Sequence, residues 1–351
     1  MNRIKLFTLG VFAITALASK AQTLVFQAKT VENQLWGYSN MEGELVIPAE
    51  YDKCYPFSSN GLAVIYDEKE RQYHFIDVKN QRLTTNPAKF KIKDGLGFNV
   101  SGFNDHLFLV QVNNKWGYMN DEGSLAIPAN YDNGSDFNGG FATVTKGKQF
   151  LVIDKDGNET PLESGITEVK EFSDGLAPVR MSSKKYGFID TKGKLVVPAE
   201  YETVGYFVDG LAWVKTAAGK LGYIDKSGQW IIKPEFEAGK DFDHTSGLAR
   251  VKKGETWCYV DKSGKILYVK DTESWGDFSE GLADGKKGGM RGFYDHTGKW
   301  VIEPKFLAVR DFHNGYAAAK SADNKWGIID KTGKWAVEPK FDSVKDVTRI
   351  K

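Results

Sequence analysis

One carboxylate recurs along this sequence at a fixed place in a periodic pattern: Asp77, Asp154, Asp190, Asp225, Asp261, Asp295 and Asp330. Repeated acids could ligate calcium, or act in pairs on a glycosidic bond. Asp154-Lys155-Asp156-Gly157-Asn158-Glu159 comes nearest to a calcium loop, but the full twelve-residue ligand set is missing. The same Asp recurs where a tight turn needs a side chain that bonds its own backbone two residues on, so a turn is the expected role. His74, His106, His244, His296 and His313 share no repeat position and no metal-ligand spacing, and are expected in loops and solvent. Cys54 and Cys258 lie too far apart in a chain of adjacent contacts for a disulfide; Cys258 reads as a buried thiol. There is no Gly-x-Ser-x-Gly elbow, phosphate loop or His-Glu-x-x-His. No catalytic, cofactor or metal residue is therefore assigned, and no enzyme activity is expected.

Aromatic residues are the other candidates, since they can stack on sugars or peptides. Four of nine tryptophans (Trp36, Trp116, Trp257, Trp326) precede a central glycine or its substitute. Trp230, Trp300 and Trp335 share a second slot. Recurrence in a framework slot points to core. A different row follows Gly-Leu-Ala or its near copies: Val64, Thr143, Pro178, Trp213, Arg250, Asp284 and Ala318. Its variation implies that packing does not dictate it. The row is expected to face solvent and line a recognition surface, with Trp213 and Arg250 as anchors.

The elements that must position these residues follow from a period of about thirty-five residues. Aligned on an aromatic-Gly-aromatic signal, the central positions are 37, 74, 117, 151, 187, 222, 258, 292 and 327. Such spacing across a 351-residue chain is the mark of a repeat array. A second glycine stands six residues later in most copies, and a proline eleven or twelve later in six of them. Tyr223 to Ile232 reads strand, Asp-Lys-Ser-Gly turn, strand. Proline then ends the second strand, because it lacks the N–H a ladder needs. Gly-Leu-Ala-x-Val opens the next strand. Each unit is thus an antiparallel meander of three or four strands, and the chain is all-β. Strands apolar on both faces, such as Trp230-Ile231-Ile232, imply that each sheet is sandwiched between its neighbours. The central glycine is expected to leave room for a bulky side chain of the adjacent unit. An open, curved stack of about nine units is favoured, with a propeller-like ring as the alternative.

Lys and Arg number 47 against 46 Asp and Glu, so no basic excess points to nucleic acid. Met1 to Lys5 carries Arg3 and Lys5, Leu6 to Ala18 is apolar, and Ser19-Lys20-Ala21 offers small residues before Gln22. That is a signal-peptide pattern over residues 1–21, so export is expected: periplasmic, outer-surface or secreted. The remaining chain, 22–351, has no second apolar run long enough to span a membrane.

The repeat resembles the WG-repeat family, also called KWG repeats, of bacterial exported proteins. Lys115-Trp116-Gly117-Tyr118 and Lys325-Trp326-Gly327-Ile328-Ile329-Asp330-Lys331-Thr332-Gly333-Lys334-Trp335 carry the likeness, with the downstream Pro-x-Phe and Phe-x-x-Gly-Leu-Ala. The second unit, about 65–112, departs from it: His74 replaces glycine and the turn glycine is missing. The seventh unit lacks its proline. The resemblance implies an interaction module without a shared activity. The expected function is a non-enzymatic binding or scaffold protein for a protein or an envelope polysaccharide. The alternatives are a carbohydrate-binding or carbohydrate-active ring, which would need acids converging on a central pocket, and a structural spacer.

Overall fold

The computed structural model describes residues 23–94, 100 and 102–350. The expected leader, 1–21, lies outside the described residues. Every named element is a β-strand, and the strands form nine small antiparallel sheets, seven of four strands and two of three. Blade 6 shows the plan. Thr203–Val204 is innermost, followed in sequence and in space by Leu211–Lys215, Leu221–Asp225 and Trp230–Phe236. Blades 4 to 9 repeat this order along the chain, and blades 2 and 3 keep three of the four strands.

The last strand closes the circle. Ser343–Ile350 pairs antiparallel with Thr23–Lys29 and becomes the inner strand of blade 1. Of the two arrangements the sequence allows, the molecule is the ring, a nine-bladed propeller, and not the open stack. The two terminal strands complete one shared blade. Closure removes the exposed faces that an open array leaves at its ends.

The hairpin turn behaves as its sequence demands. Asp225 Oδ1 accepts the backbone N–H groups of Ser227 and Gln229, both at 2.9 Å. Gly228 closes the turn at φ +83°, where an L side chain is strained. Asp154 does the same for Asp156 and Asn158. Its Oδ1 thus serves the turn rather than an ion.

The central glycine has a cause other than the expected one. A Cβ at Gly37, Gly117, Gly187, Gly222, Gly292 or Gly327 would come within 2.3–2.6 Å of a backbone carbonyl oxygen. That oxygen belongs to the outer strand of the same blade, not to a side chain of the neighbour. In each case the register slips at this point, so a bulge presses the outer strand onto the glycine.

Candidate functional site

Packing between blades sets the geometry of the centre. In six blades the residue after the central slot is a buried aromatic whose ring meets the late Phe of the next blade, the one between that blade's inner and second strands. Centroids lie 4.7–4.8 Å apart for Tyr38–Phe57, Tyr118–Phe137, Phe188–Phe207, Tyr223–Phe242, Tyr259–Phe278 and Phe293–Phe312. Each tilted or edge-on pair adds about 1 kcal/mol beyond its area. The tyrosines also donate to a carbonyl in or directly after the inner strand of that next blade: Tyr38 to Tyr55, Tyr118 to Ser135, Tyr223 to Lys240 and Tyr259 to Gly276, at 2.7–2.8 Å. Tryptophans of the two recurring slots are less enclosed: Trp36 and Trp326 are half-buried and Trp230 is exposed.

Those bonds fix the inner strands, and the residue just before each late Phe lines the central channel. It is acidic in most blades: Asp136, Glu171, Asp241, Asp277, Asp311 and, in blade 1, Asp346. Tyr206 takes the place in blade 6. Asp136, Glu171, Tyr206 and Asp241 all border one cavity of about 590 Å³. Residues of consecutive inner strands can share a cavity only around the ring's axis. Burial pushes the Asp241 and Asp311 carboxyls up from their ordinary range, and Asp277 adds to both. Asp284 and Asp346 push Asp311 further. Burial raises Tyr206 as well, helped by Glu171 and Asp241. Acids therefore do converge on the centre. The signal in the sequence is an acid directly before most of the late Phe residues, a repeat position that matches no catalytic motif.

The row after Gly-Leu-Ala lies behind this wall. Val64, Thr143, Pro178 and Ala318 are buried, while Trp213, Arg250 and Asp284 are half-buried. Several members reach across a seam to the next inner strand. Thr143 Oγ1 donates to the Lys170 carbonyl at 3.1 Å. Gln27, at the same register, donates to the Cys54 carbonyl at 2.6 Å. Trp213 bonds the Asp241 side chain. Arg250 donates to the Trp275 carbonyl, pairs with Asp277 at 2.9 Å and stacks 4.9 Å from the Trp257 ring centre. Trp213 and Arg250 thus orient two channel carboxylates on neighbouring blades. Their variation reflects different partners across each seam.

The remaining candidates fall elsewhere. Cys54 and Cys258 are free and buried; burial pushes the Cys54 thiol up to about 12, which makes it a poor nucleophile. His74 sits inside the strand Gln72–Ile76 and not in a loop. With Asp67 and Glu70 it forms a group whose polar atoms lie within 4.8 Å of one another. Arg82 already occupies that group, reaching Glu70 at 2.6 Å and also Asp67. Burial and the Arg82 charge hold His74 below the usual imidazole range.

A closed ring of nine meanders with a charged axial channel defines the class, a β-propeller of unusual blade number. The family model described as "WG containing repeat" matches residues 36–68, 116–150, 186–218, 222–257, 292–326 and 326–348. These make up more than half of the chain, and it belongs to that family. Among solved structures, the chain is similar to one titled "Crystal structure of the eukaryotic initiation factor", at 13% identity over 94% of this chain and 98% of that one, with a TM-score of 0.62. It is also similar to the computationally designed Ika8 protein, at 13% identity over 80% and 97%, TM-score 0.44. BamB from Moraxella catarrhalis matches at 12% identity over 77% and 93%, TM-score 0.42. Likeness at such identity concerns the fold alone. No curated protein matches the sequence.

Proposed function

We propose that this protein is a non-enzymatic exported binding or scaffold protein that presents its ring to a protein or a cell-envelope polymer. The observation that carries the reading is the division of labour among recurring residues. Slot glycines, turn acids and seam aromatics each have a structural partner within the ring. What these partners leave over is the channel wall and the tips of the turns, the parts a ligand would meet. Export rests on the leader pattern of residues 1–21.

The carbohydrate-directed alternative is favoured by one observation, the convergence of Asp241, Asp277 and Asp311 on the channel. Capture from envelope extracts by the full chain, run beside a glycan array, separates the two. The binding reading expects a specific partner and no turnover, with capture weakened in a Trp213→Phe/Arg250→Ala variant that frees the channel carboxylates. Release of reducing ends from an envelope glycan, abolished by Asp241→Asn or Asp311→Asn, would replace it with the enzymatic alternative.

A further inference from the structure

Asparagine stands directly before glycine at four places in the sequence: Asn60, Asn133, Asn138 and Asn314. At such a pair the chain can attack itself, because glycine has no side chain to shield its nitrogen from the asparagine carboxamide. The fold selects among the four, since the nitrogen must be free and the backbone must have room to turn. Three are held. Gly61 N–H donates to the Ser58 carbonyl at 3.0 Å, and the Asn60 amide donates to Asp121 Oδ1 at 2.7 Å. Asn133–Gly134 is an inner strand paired with Thr145 and Val144, and Gly134 is buried. Gly315 N–H donates to Glu280 Oε2 at 2.9 Å, while the Asn314 amide donates to the Val347 carbonyl at 2.8 Å.

Asn138-Gly139 escapes these restraints. It lies in the turn between the inner and second strands of blade 4, where Asn138 N–H donates to the Phe141 carbonyl at 2.9 Å. In the matching turns of blades 5, 6 and 9 the first left-handed corner belongs to Asp174, Asp209 and Asn314. Here glycine takes both corners, Gly139 at φ +62° and Gly140 at φ +86°, and the asparagine stands one place earlier. Asp105 caps the Gly140 N–H at 2.7 Å. Among the described residues none accepts the Gly139 N–H or bonds the Asn138 side chain. Both residues are exposed, and a Cβ at Gly139 or Gly140 would touch nothing within 4 Å, so the tip has room to turn.

We propose that Asn138 is a site of spontaneous deamidation. The Gly139 nitrogen bonds to Asn138 Cγ, the Cγ–Nδ2 bond breaks, and the proton given up by the nitrogen leaves with ammonia. Water then opens the five-membered imide at either carbonyl, giving aspartate or, with the chain rerouted through the side chain, isoaspartate. Nothing is oxidised or reduced. Asn138 borders the channel cavity together with Asp136 and Glu171, so the reaction adds a carboxylate to that wall. The inference stands independently of the binding reading above.

The test follows the full chain in mildly alkaline buffer by peptide mass mapping and isoaspartate labelling, with the chain unfolded in urea as reference. In the folded chain Asn138 should convert at least about tenfold faster than Asn60, Asn133 or Asn314, the factor that one retained amide hydrogen bond contributes. In urea the four should react at similar rates. The Asn138 rate should climb with pH, because the attacking nitrogen must lose its proton. Glu280→Ala frees the Gly315 N–H and should bring Asn314 up severalfold. Equal rates at the four places in the folded chain overturn the proposal, and so does an Asn138 that reacts about tenfold slower folded than in urea. An unchanged Asn314 rate in Glu280→Ala overturns the account in which capped glycine amides select the site.

Discussion

Six blades carry glycine in the central slot and three do not, and the outer strand registers the difference. Where the slot holds Gly37, Gly117, Gly187, Gly222, Gly292 or Gly327, the outer strand has seven residues with a bulge, as in Trp230–Phe236. Where it holds Leu151 the outer strand shrinks to Glu159–Pro161, and beside Cys258 to Ile266–Leu267. Beside His74 the blade has no outer strand. A side chain in the slot stands where the bulged carbonyl must go, so the outer strand pairs briefly or not at all. The ring tolerates this because the inner three strands and their seams do not depend on the slot. Leu151 and Cys258 are themselves buried in the seam clusters. Glycine here specifies the rim, while the aromatic after it specifies the ring.

The largest effect should come from putting a methyl group into a glycine blade. In Gly222→Ala the new Cβ would meet Ile232 O at 2.5 Å and Pro234 N at 2.8 Å, both backbone. Backbone cannot rotate away as a side chain can, so a loss of about 3 kcal/mol is expected in urea unfolding, with hydrogen exchange rising in Trp230–Phe236. A loss below about 1 kcal/mol would break the link between slot and outer strand. The matching change in blade 7 should be milder. Cys258→Ala leaves the same residue in the same slot, beside an outer strand already reduced to two residues. It removes one buried sulfur, and about 1 kcal/mol is the expected cost. Equal costs in the two blades would show that the slot acts through general packing instead.

Much of this fold was legible in the sequence because periodicity reports contacts made within a unit or to the next one. The hairpin Asp and Gly are local demands, and the structure meets them. The proline does not end the outer strand: Pro234 lies inside Trp230–Phe236, in the bulged stretch of a sheet edge where no N–H is needed. Nor is that strand covered on both faces, since Ile232 is buried while Trp230 and Ile231 are exposed at the rim. Closure was not legible, since pairing of Ser343–Ile350 with Thr23–Lys29 is the longest-range contact in the chain and leaves no periodic trace. Spacing shows that something approaches the central glycine closely, but not whether it is a neighbour's side chain or, as here, the carbonyl of the blade's own outer strand. The candidate site was half legible. Trp213 and Arg250 were singled out by variation, but only coordinates show that they reach Asp241 and Asp277. The channel acids recur in plain view before most of the late Phe residues. Their meaning depends on a ring, because in an open stack the same row would diverge.

The channel offers the finest comparison, between the unbroken acidic run Asp241, Asp277, Asp311 and Asp346 and the blades where Pro56 and Tyr206 interrupt it. Asp311 sits in the acidic sector, facing Asp277, Asp284 and Asp346, with His313 opposing them. Its carboxyl is raised by burial first and by those acids next, so the ionised form is disfavoured in the folded state. A raised carboxyl costs stability above its folded pKa, and that cost disappears as pH falls below the unfolded value. Asp209 and Glu280 behave in the opposite sense. Hydrogen bonding to His244 first lowers Asp209, and for Glu280 the Asn314 and Gly315 amides with Lys331 outweigh burial; their stabilisation is lost in acid. Asp311→Asn should therefore raise Tm slightly at pH 7, by about 1 °C, because the side chain is open to channel water. The gain should close as pH is lowered, while both proteins lose the Asp209 and Glu280 contributions together. A Tm that falls on this substitution at pH 7 would mean that Asp311 makes a favourable contact in the ring, and that the acids are held apart well enough not to oppose one another.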